Sequence, residues 1–272
     1  MAANPNCDRF LGRAHSYAAY LDTPEGRLRS DLAFANVQAF LPLPAAPRSL
    51  RALDIGSGTG AMAVRLAKRG VHVTLLDSSP VMLDIAGRAA REAEVGDRIV
   101  LKEGDASGVA NLFSREYFDV ILCHNLLEFV DDPGAVLRCV SQVMTDSAVL
   151  SLLVRTQAGE VLKAAIQAAD LAAVERNLTA EWGSESLFGG RVRLFTPGIL
   201  EDMLKDASLV VRAARGVRVL SDYLPPTVSR SAEYQKILEL ERKLGSRLEF
   251  AAVARYAQYL VGRASLAAEP RK

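Results

Sequence analysis

The stretch "ALDIGSGTGAMAVRLAKRGVHVTLLDSS", residues 52–79, sets Gly56, Gly58 and Gly60 between one apolar run and a second that ends in an acid, Asp77. A short apolar run, then Gly-x-Gly-x-Gly, then a segment of helical periodicity reads as strand, tight turn and helix. Glycine suits such a loop because the backbone must adopt positive φ and come close to a ligand. Loops of this kind cradle part of a nucleotide, and Asp77, closing the second strand, sits where a carboxylate takes both ribose hydroxyls. Ala61 also completes the looser Gly-x-Gly-x-x-Gly/Ala dinucleotide pattern. Loop and acid therefore indicate a ribose without naming its owner.

Outward from this stretch, strands are expected at 50–55, 71–76, 98–102, 118–123 and 147–154, with helices at 60–69, 80–93 and 133–144. That alternation implies an α/β fold, a doubly wound, mostly parallel sheet. Further strands at 208–220 and within 250–263 bring the sheet to seven. Thr23-Pro24-Glu25 is a helix start, with an N-cap, a first-turn proline and an acid at the positive helix end. That helix should run to about residue 41, where Pro42, Pro44 and Pro47 impose a linker. Residues 157–177 look helical, and 180–194 carry Gly183, Gly189 and Gly190 and look like a lid or insertion. Helices follow at 196–206 and 230–247. The expected organisation is one domain over 1–263, with a helical cap at 1–48, a lid at 155–198 and a disordered tail at 264–272.

With half of its 272 residues hydrophobic, the chain can bury a sizeable core. The start, Met-Ala-Ala-Asn-Pro-Asn, lacks the layout of a signal peptide, and the best apolar run, 148–154, is too short to span a membrane. Cys7, Cys123 and Cys139 have neither disulfide-framework nor metal-ligand spacing. The expectation is a soluble, cytoplasmic protein with no metal. A net charge of +1 argues against a wholesale nucleic-acid binder, but its distribution is uneven. Residues 1–190 hold 18 Lys/Arg against 23 Asp/Glu, and residues 191–272 hold 15 against 9. A basic C-terminal third suits a polyanionic partner.

Two features favour S-adenosylmethionine (SAM) over a dinucleotide. Asp54 makes the loop Asp-x-Gly-x-Gly-x-Gly, and an acid there suits the ammonium end of SAM, which has no pyrophosphate. "EGDAS", 103–107, then places Asp105 just past the third strand. The pattern resembles motif I of class I methyltransferases. In that family the acid at the Asp105 position meets the adenine amino group and the next residue, here Ala106, lines the base.

A closer resemblance rests on "FDVILCHNLLEFVDDPGAVLRCV" (118–140), with "TPEGRLRSDL" (23–32), "GVRVLSDYL" (216–224), "ILELERKL" (237–244) and "ARYAQYLV" (254–261). These resemble the bacterial tRNA 5-carboxymethoxyuridine methyltransferases, which use SAM to esterify the carboxylate of a modified wobble uridine. The resemblance implies cofactor contacts at Arg29, Gly56, Ser57, Asp77, Asp105, Ala106 and His124. Asp54, Gly58, Gly60 and Ser78 complete the expected set. The sequence departs from the family in having Arg155-Thr156 for a Tyr-Asn pair and only Arg191 and Arg193 where the family has a lysine-rich lid.

A carboxylate acceptor is its own nucleophile, so no acid–base residue is required; it needs a cation and alignment. Arg218 and Arg255 match the family pattern and are the first candidates, followed by Arg155 and Arg193, with Tyr20, Tyr223 and Tyr256 as hydrogen-bonding or stacking partners. The alternatives are a SAM-dependent enzyme acting on a small-molecule acid or hydroxyl, an NAD-dependent oxidoreductase, and a SAM-binding regulator without catalysis. The oxidoreductase reading finds no Tyr-x-x-x-Lys apparatus and leaves Asp105 unexplained.

Overall fold

The computed structural model describes residues 12–42, 48–185, 187, 189–225, 227–228 and 230–264. Cys7, Pro44, Pro47 and the tail from 265 lie outside them. Two helices, α1 (Ala14–Asp22) and α2 (Pro24–Gln38), precede β1 (Arg51–Ile55). Then come α3 (Ala61–Ala67), β2 (His72–Asp77), α4 (Pro80–Glu92), β3 (Ile99–Glu103), α5 (Val109–Leu112), β4 (Phe118–His124), α6 (Pro133–Val143) and β5 (Met144–Arg155). The chain continues through α7 (Gln157–Ile166), α8 (Leu171–Asn177), β6 (Trp182–Ser184), β7 (Arg191–Arg193), α9 (Pro197–Asp206) and β8 (Leu209–Val217). It closes with α10 (Tyr234–Gly245), α11 (Leu248–Ala251) and β9 (Tyr256–Arg263).

Seven strands form one sheet in the order β3-β2-β1-β4-β5-β9-β8, and β6 and β7 pair separately. The strands from β3 to β5 are parallel neighbours, and β9 runs antiparallel to both β5 and β8. Every residue of β4 up to Cys123 is buried. Helices cover both faces of a parallel sheet, so its central strands are continuous apolar runs instead of alternating ones. One core layer gathers residues such as Ile121, Leu137, Leu150 and Leu204, and another Val37, Leu66, Leu75 and Leu122. A third joins Leu28, Leu32 and Ala33 of α2 to Leu153, Val217, Ile237 and Tyr256, which holds the N-terminal cap over one end of the sheet.

The sequence-level elements are recovered with four adjustments. The cap is two helices: Thr23 ends α1 and caps α2, its hydroxyl accepting from the Gly26 amide at 3.1 Å. The expected helix 157–177 breaks at Ala169, which has φ 49°, and Asp170 caps the second piece by accepting from the Ala173 amide. Strand β8 ends before Arg218, whose φ of 61° turns the chain out of the sheet. Strand β5 starts at Met144, directly after α6, without an intervening turn.

Candidate active site

The strand order reverses between β1 and β4, and in open α/β sheets ligands sit outside the carboxyl ends of the strands at such a switch point. Gly56 follows β1, Asp77 ends β2, Asp105 follows β3, His124 ends β4 and Arg155 ends β5. Because β9 is antiparallel, its first residue, Tyr256, pairs with Arg155 at the same end. A cavity of about 410 Å³ opens there, lined by Arg29, Gly56, Gly58, Asp77, Ser78, Asp105, Ala106, His124, Arg155 and Tyr256 among others. A smaller one of about 50 Å³ adjoins it and brings in Asp54 and Ser57.

The loop is shaped for close approach. Gly56, Gly58 and Gly60 have φ of 65°, 52° and 74°. A Cβ on Gly56 would lie 2.8 Å from Leu126, and one on Gly58 3.3 Å from the Tyr17 ring. Gly60 lines neither cavity. Its missing Cβ would stand 2.9 Å from that of Ala86, so the close packing of α3 on α4 also asks for a glycine here. The Gly58 amide donates to Asp77 Oδ2 at 2.8 Å and the Ser79 amide to Oδ1 at 2.9 Å. Burial pushes the Asp77 carboxyl up, and these amides, with that of Ser78, pull it back. Asp54 is pushed up to about 8, first by burial and then by the neighbouring Asp77 charge.

Arg29 reaches the cavity from α2, although the helix buries it almost completely. Its guanidinium donates to the Tyr17 hydroxyl at 3.0 Å and lies 5.1 Å from the Tyr20 ring centre and 5.8 Å from that of Tyr256. Burial opposes its charge, but the three phenols outweigh burial and hold it protonated. His124 faces Ser151 across 2.8 Å. The Ser151 hydroxyl also accepts from Gln258 Nε2 at 2.8 Å, which links His124 through Ser151 to β9. Burial, then the Arg29 charge, press the imidazole down to about 3, so it is neutral at physiological pH.

The acceptor candidates separate. Arg155 and Tyr256 line the cavity; Arg218, Arg255, Tyr223, Tyr20 and Arg193 do not. Arg218 is paired with Asp222 and donates to the Tyr20 hydroxyl at 3.0 Å. Arg255 lies 2.8 Å from Glu160 and 3.8 Å from Asp222. Both arginines face internal carboxylates and lie off the cavity wall, although the buried Arg255 Nη1 has no hydrogen-bond partner among the described residues. Arg193 lies over the Trp182 ring at 4.6 Å. Tyr256, ringed by arginines, is held near 8: burial raises it, but Arg29, Arg218, Arg155 and Arg255 more than offset that.

Sequence reading missed the carboxylates that organise this end of the sheet. Glu128, in the His-x-x-Leu-Glu stretch, accepts from Asn125 Nδ2 and from the Arg155 amide, both at 2.9 Å. It thus ties the loop after β4 to the end of β5. Glu160, Asp222 and Glu185 are the counter-ions of the arginines. None carries a local signal, because each partner is distant in sequence or hidden in a turn.

The methyltransferase domain family matches residues 26–214. The tRNA 5-carboxymethoxyuridine methyltransferase of Escherichia coli K12 is 29% identical over 240 residues, covering 86% of this chain and 87% of that one. Among solved structures, a SAM-dependent methyltransferase from Thermotoga maritima superposes with a TM-score of 0.60 at 15% identity, covering 95% of this chain and 99% of its own. A Haloferax volcanii methyltransferase solved with its Trm112 activator gives 0.61 at 16%, covering 97% and 99%. At such identities the structures show a shared fold. Ser57 Oγ is buried without a hydrogen-bond partner among the described residues, and the glycine cradle has the room that the amino-acid end of SAM needs. The dinucleotide alternative falls away: the chain belongs to the methyltransferase domain family and is a SAM-dependent methyltransferase.

Proposed function

We propose that the protein methylates a carboxylate, that of 5-carboxymethoxyuridine at the wobble position of tRNA, and works in the cytoplasm. The observation that carries this is the Arg155 guanidinium on the wall of the cofactor cavity, together with a histidine too acidic to act as a base. A hydroxyl or amine acceptor needs a proton removed near neutrality. A carboxylate does not. The relative of matching length, which acts on this uridine by its name, supports the tRNA acceptor.

In this reading Asp77 holds the ribose hydroxyls of SAM, and Asp105 and Ala106 take the adenine. Arg29 pairs with the cofactor carboxylate, and Asp54, Ser57, Gly56 and Gly58 receive its amino-acid end beside His124, with Ser78 on the wall. An adjacent ammonium draws the Asp54 carboxyl, which burial pushes up, back to its charged form. SAM supplies a methyl group already activated by its sulfonium. The chain aligns the acceptor oxygen, excludes water and neutralises the acceptor's charge.

The test is nucleoside mass spectrometry of tRNA from a strain lacking the gene, with restoration in vitro by the purified protein and SAM. Accumulation of free 5-carboxymethoxyuridine and its conversion to the methyl ester are expected. Unchanged nucleosides, with small acids methylated efficiently and tRNA neither binding nor competing, would move the acceptor to a small-molecule acid.

A further inference from the structure

Arg155 is buried and its guanidinium is already engaged. It is paired with Glu185, donates to the Ser184 carbonyl at 3.1 Å and lies 3.5 Å from Glu160. Glu160 is shared with Arg255 at 2.8 Å and lies off the cavity wall. Glu185 is on that wall, beside Arg155, immediately after β6. Its own amide donates to the Gly190 carbonyl at 2.9 Å, so the backbone of the β6–β7 connection positions it. Its Oε1 accepts from the Leu187 amide at 2.8 Å, so a side chain 8% exposed and carried by a short two-stranded ribbon sets a carboxylate on the cavity's arginine.

We propose that Arg155 binds the carboxylate of the methyl acceptor and that Glu185 holds that place in the acceptor-free protein. This rests on the reading that the acceptor is a carboxylate. A buried guanidinium short of anionic partners is costly, and Glu160, at 3.5 Å and shared with Arg255, meets only part of that need. An incoming carboxylate exchanges with Glu185 like for like: the ion pair is kept and Glu185 returns to water. A neutral acceptor has no charge with which to displace it, so the exchange selects anions. The reaction then reverses the exchange. As the acceptor oxygen bonds to the methyl carbon, the methyl–sulfur bond breaks, its electron pair stays on sulfur and no proton moves. The ester is neutral, Arg155 loses its partner, and Glu185 reclaims it as product leaves.

Phenoxyacetate, which carries the carboxymethoxy group on an aromatic ring, probes this without RNA. Calorimetry with the S-adenosylhomocysteine complex should show phenoxyacetate binding to the wild type and no binding of its methyl ester. Glu185→Gln should bind phenoxyacetate about tenfold tighter, and Arg155→Gln at least about tenfold weaker. Both variants should keep S-adenosylhomocysteine affinity within about threefold, which shows that fold and cofactor site survive. Unchanged or weaker binding in Glu185→Gln, binding that survives Arg155→Gln, or no binding to either wild type or Glu185→Gln overturns the exchange. An anticodon stem-loop bearing 5-carboxymethoxyuridine is assayed in parallel. If it is not methylated while phenoxyacetate behaves as expected, the RNA reading falls and the arginine anchor stands.

Discussion

His124 and Tyr256 face the same cavity, and the protein shifts each away from its ordinary chemistry. The imidazole is hydrogen-bonded to Ser151, and its burial first and the adjacent Arg29 charge second disfavour a positive charge on it. Its folded value, about 3, lies below the unfolded one near 6.5. The stability this group contributes is therefore complete above pH 6.5 and is lost as pH falls from there towards 3. Urea unfolding across that range should show a shallower pH slope for His124→Gln than for the wild type, and NMR should find the ring neutral at pH 5, where an ordinary imidazole is charged. Tyr256 is shifted the other way in charge, its phenol held near 8 by four arginines. Its stability contribution grows as pH rises from about 8 towards 10, between the folded and unfolded values. A tyrosinate absorbance step near pH 8 in the cofactor-free protein, absent from Tyr256→Phe, is the expected observation. Its persistence in the variant would mean that the arginine ring does not act on this phenol.

Between α10 and β8 the contact depends on one carboxylate and two glycines. Glu241, fully buried, accepts from the amides of Val219, Leu220 and Ser221 at 2.6, 3.1 and 2.8 Å, which satisfies the turn that follows Arg218. Glu241→Gln puts an NH2 donor against one side of that array, and about 2 kcal/mol of stability should be lost in urea unfolding, with the cofactor cavity intact. A Cβ on Gly245 would lie 2.2 Å from the Gly216 carbonyl oxygen, so Gly245→Ala should push α10 off the sheet and destabilise by about 1–3 kcal/mol. Neither contact is written in the local sequence. What was legible there is what local chemistry dictates: the Thr23 cap, the positive-φ loop, and the strands whose apolar runs are continuous because both faces are covered. At Gly60 packing and ligand approach demand the same residue, so the motif alone does not separate the two roles. The pairing of Arg218 and Arg255 was not legible, because Glu160 comes from another element, Asp222 is brought back by the turn after Arg218, and a count of cations cannot show which are already paired. The break at Ala169 carried no glycine or proline, although Asp170 was a cap signal in plain view.

Over the whole molecule the basic C-terminal third is less free than its composition implies, since Arg218, Arg255 and Arg263 all hold carboxylates. If tRNA is the acceptor, its affinity should fall by roughly a hundredfold for a roughly fourfold rise in salt, as about four phosphate contacts require. A shallow dependence in filter binding would leave room only for a small acid. The order of the strands has a consequence for synthesis. The gap between β5 and β8 is filled by β9, which brings Tyr256 to the cavity and, through Gln258 and Ser151, is hydrogen-bonded to His124. A ribosome delivering the chain from its N-terminus exposes the glycine loop early, but the pocket has no far wall until β9 has emerged. Cofactor capture is thereby timed to the emergence of β9, and an interrupted chain that stops short of β9 carries the motif without the enzyme.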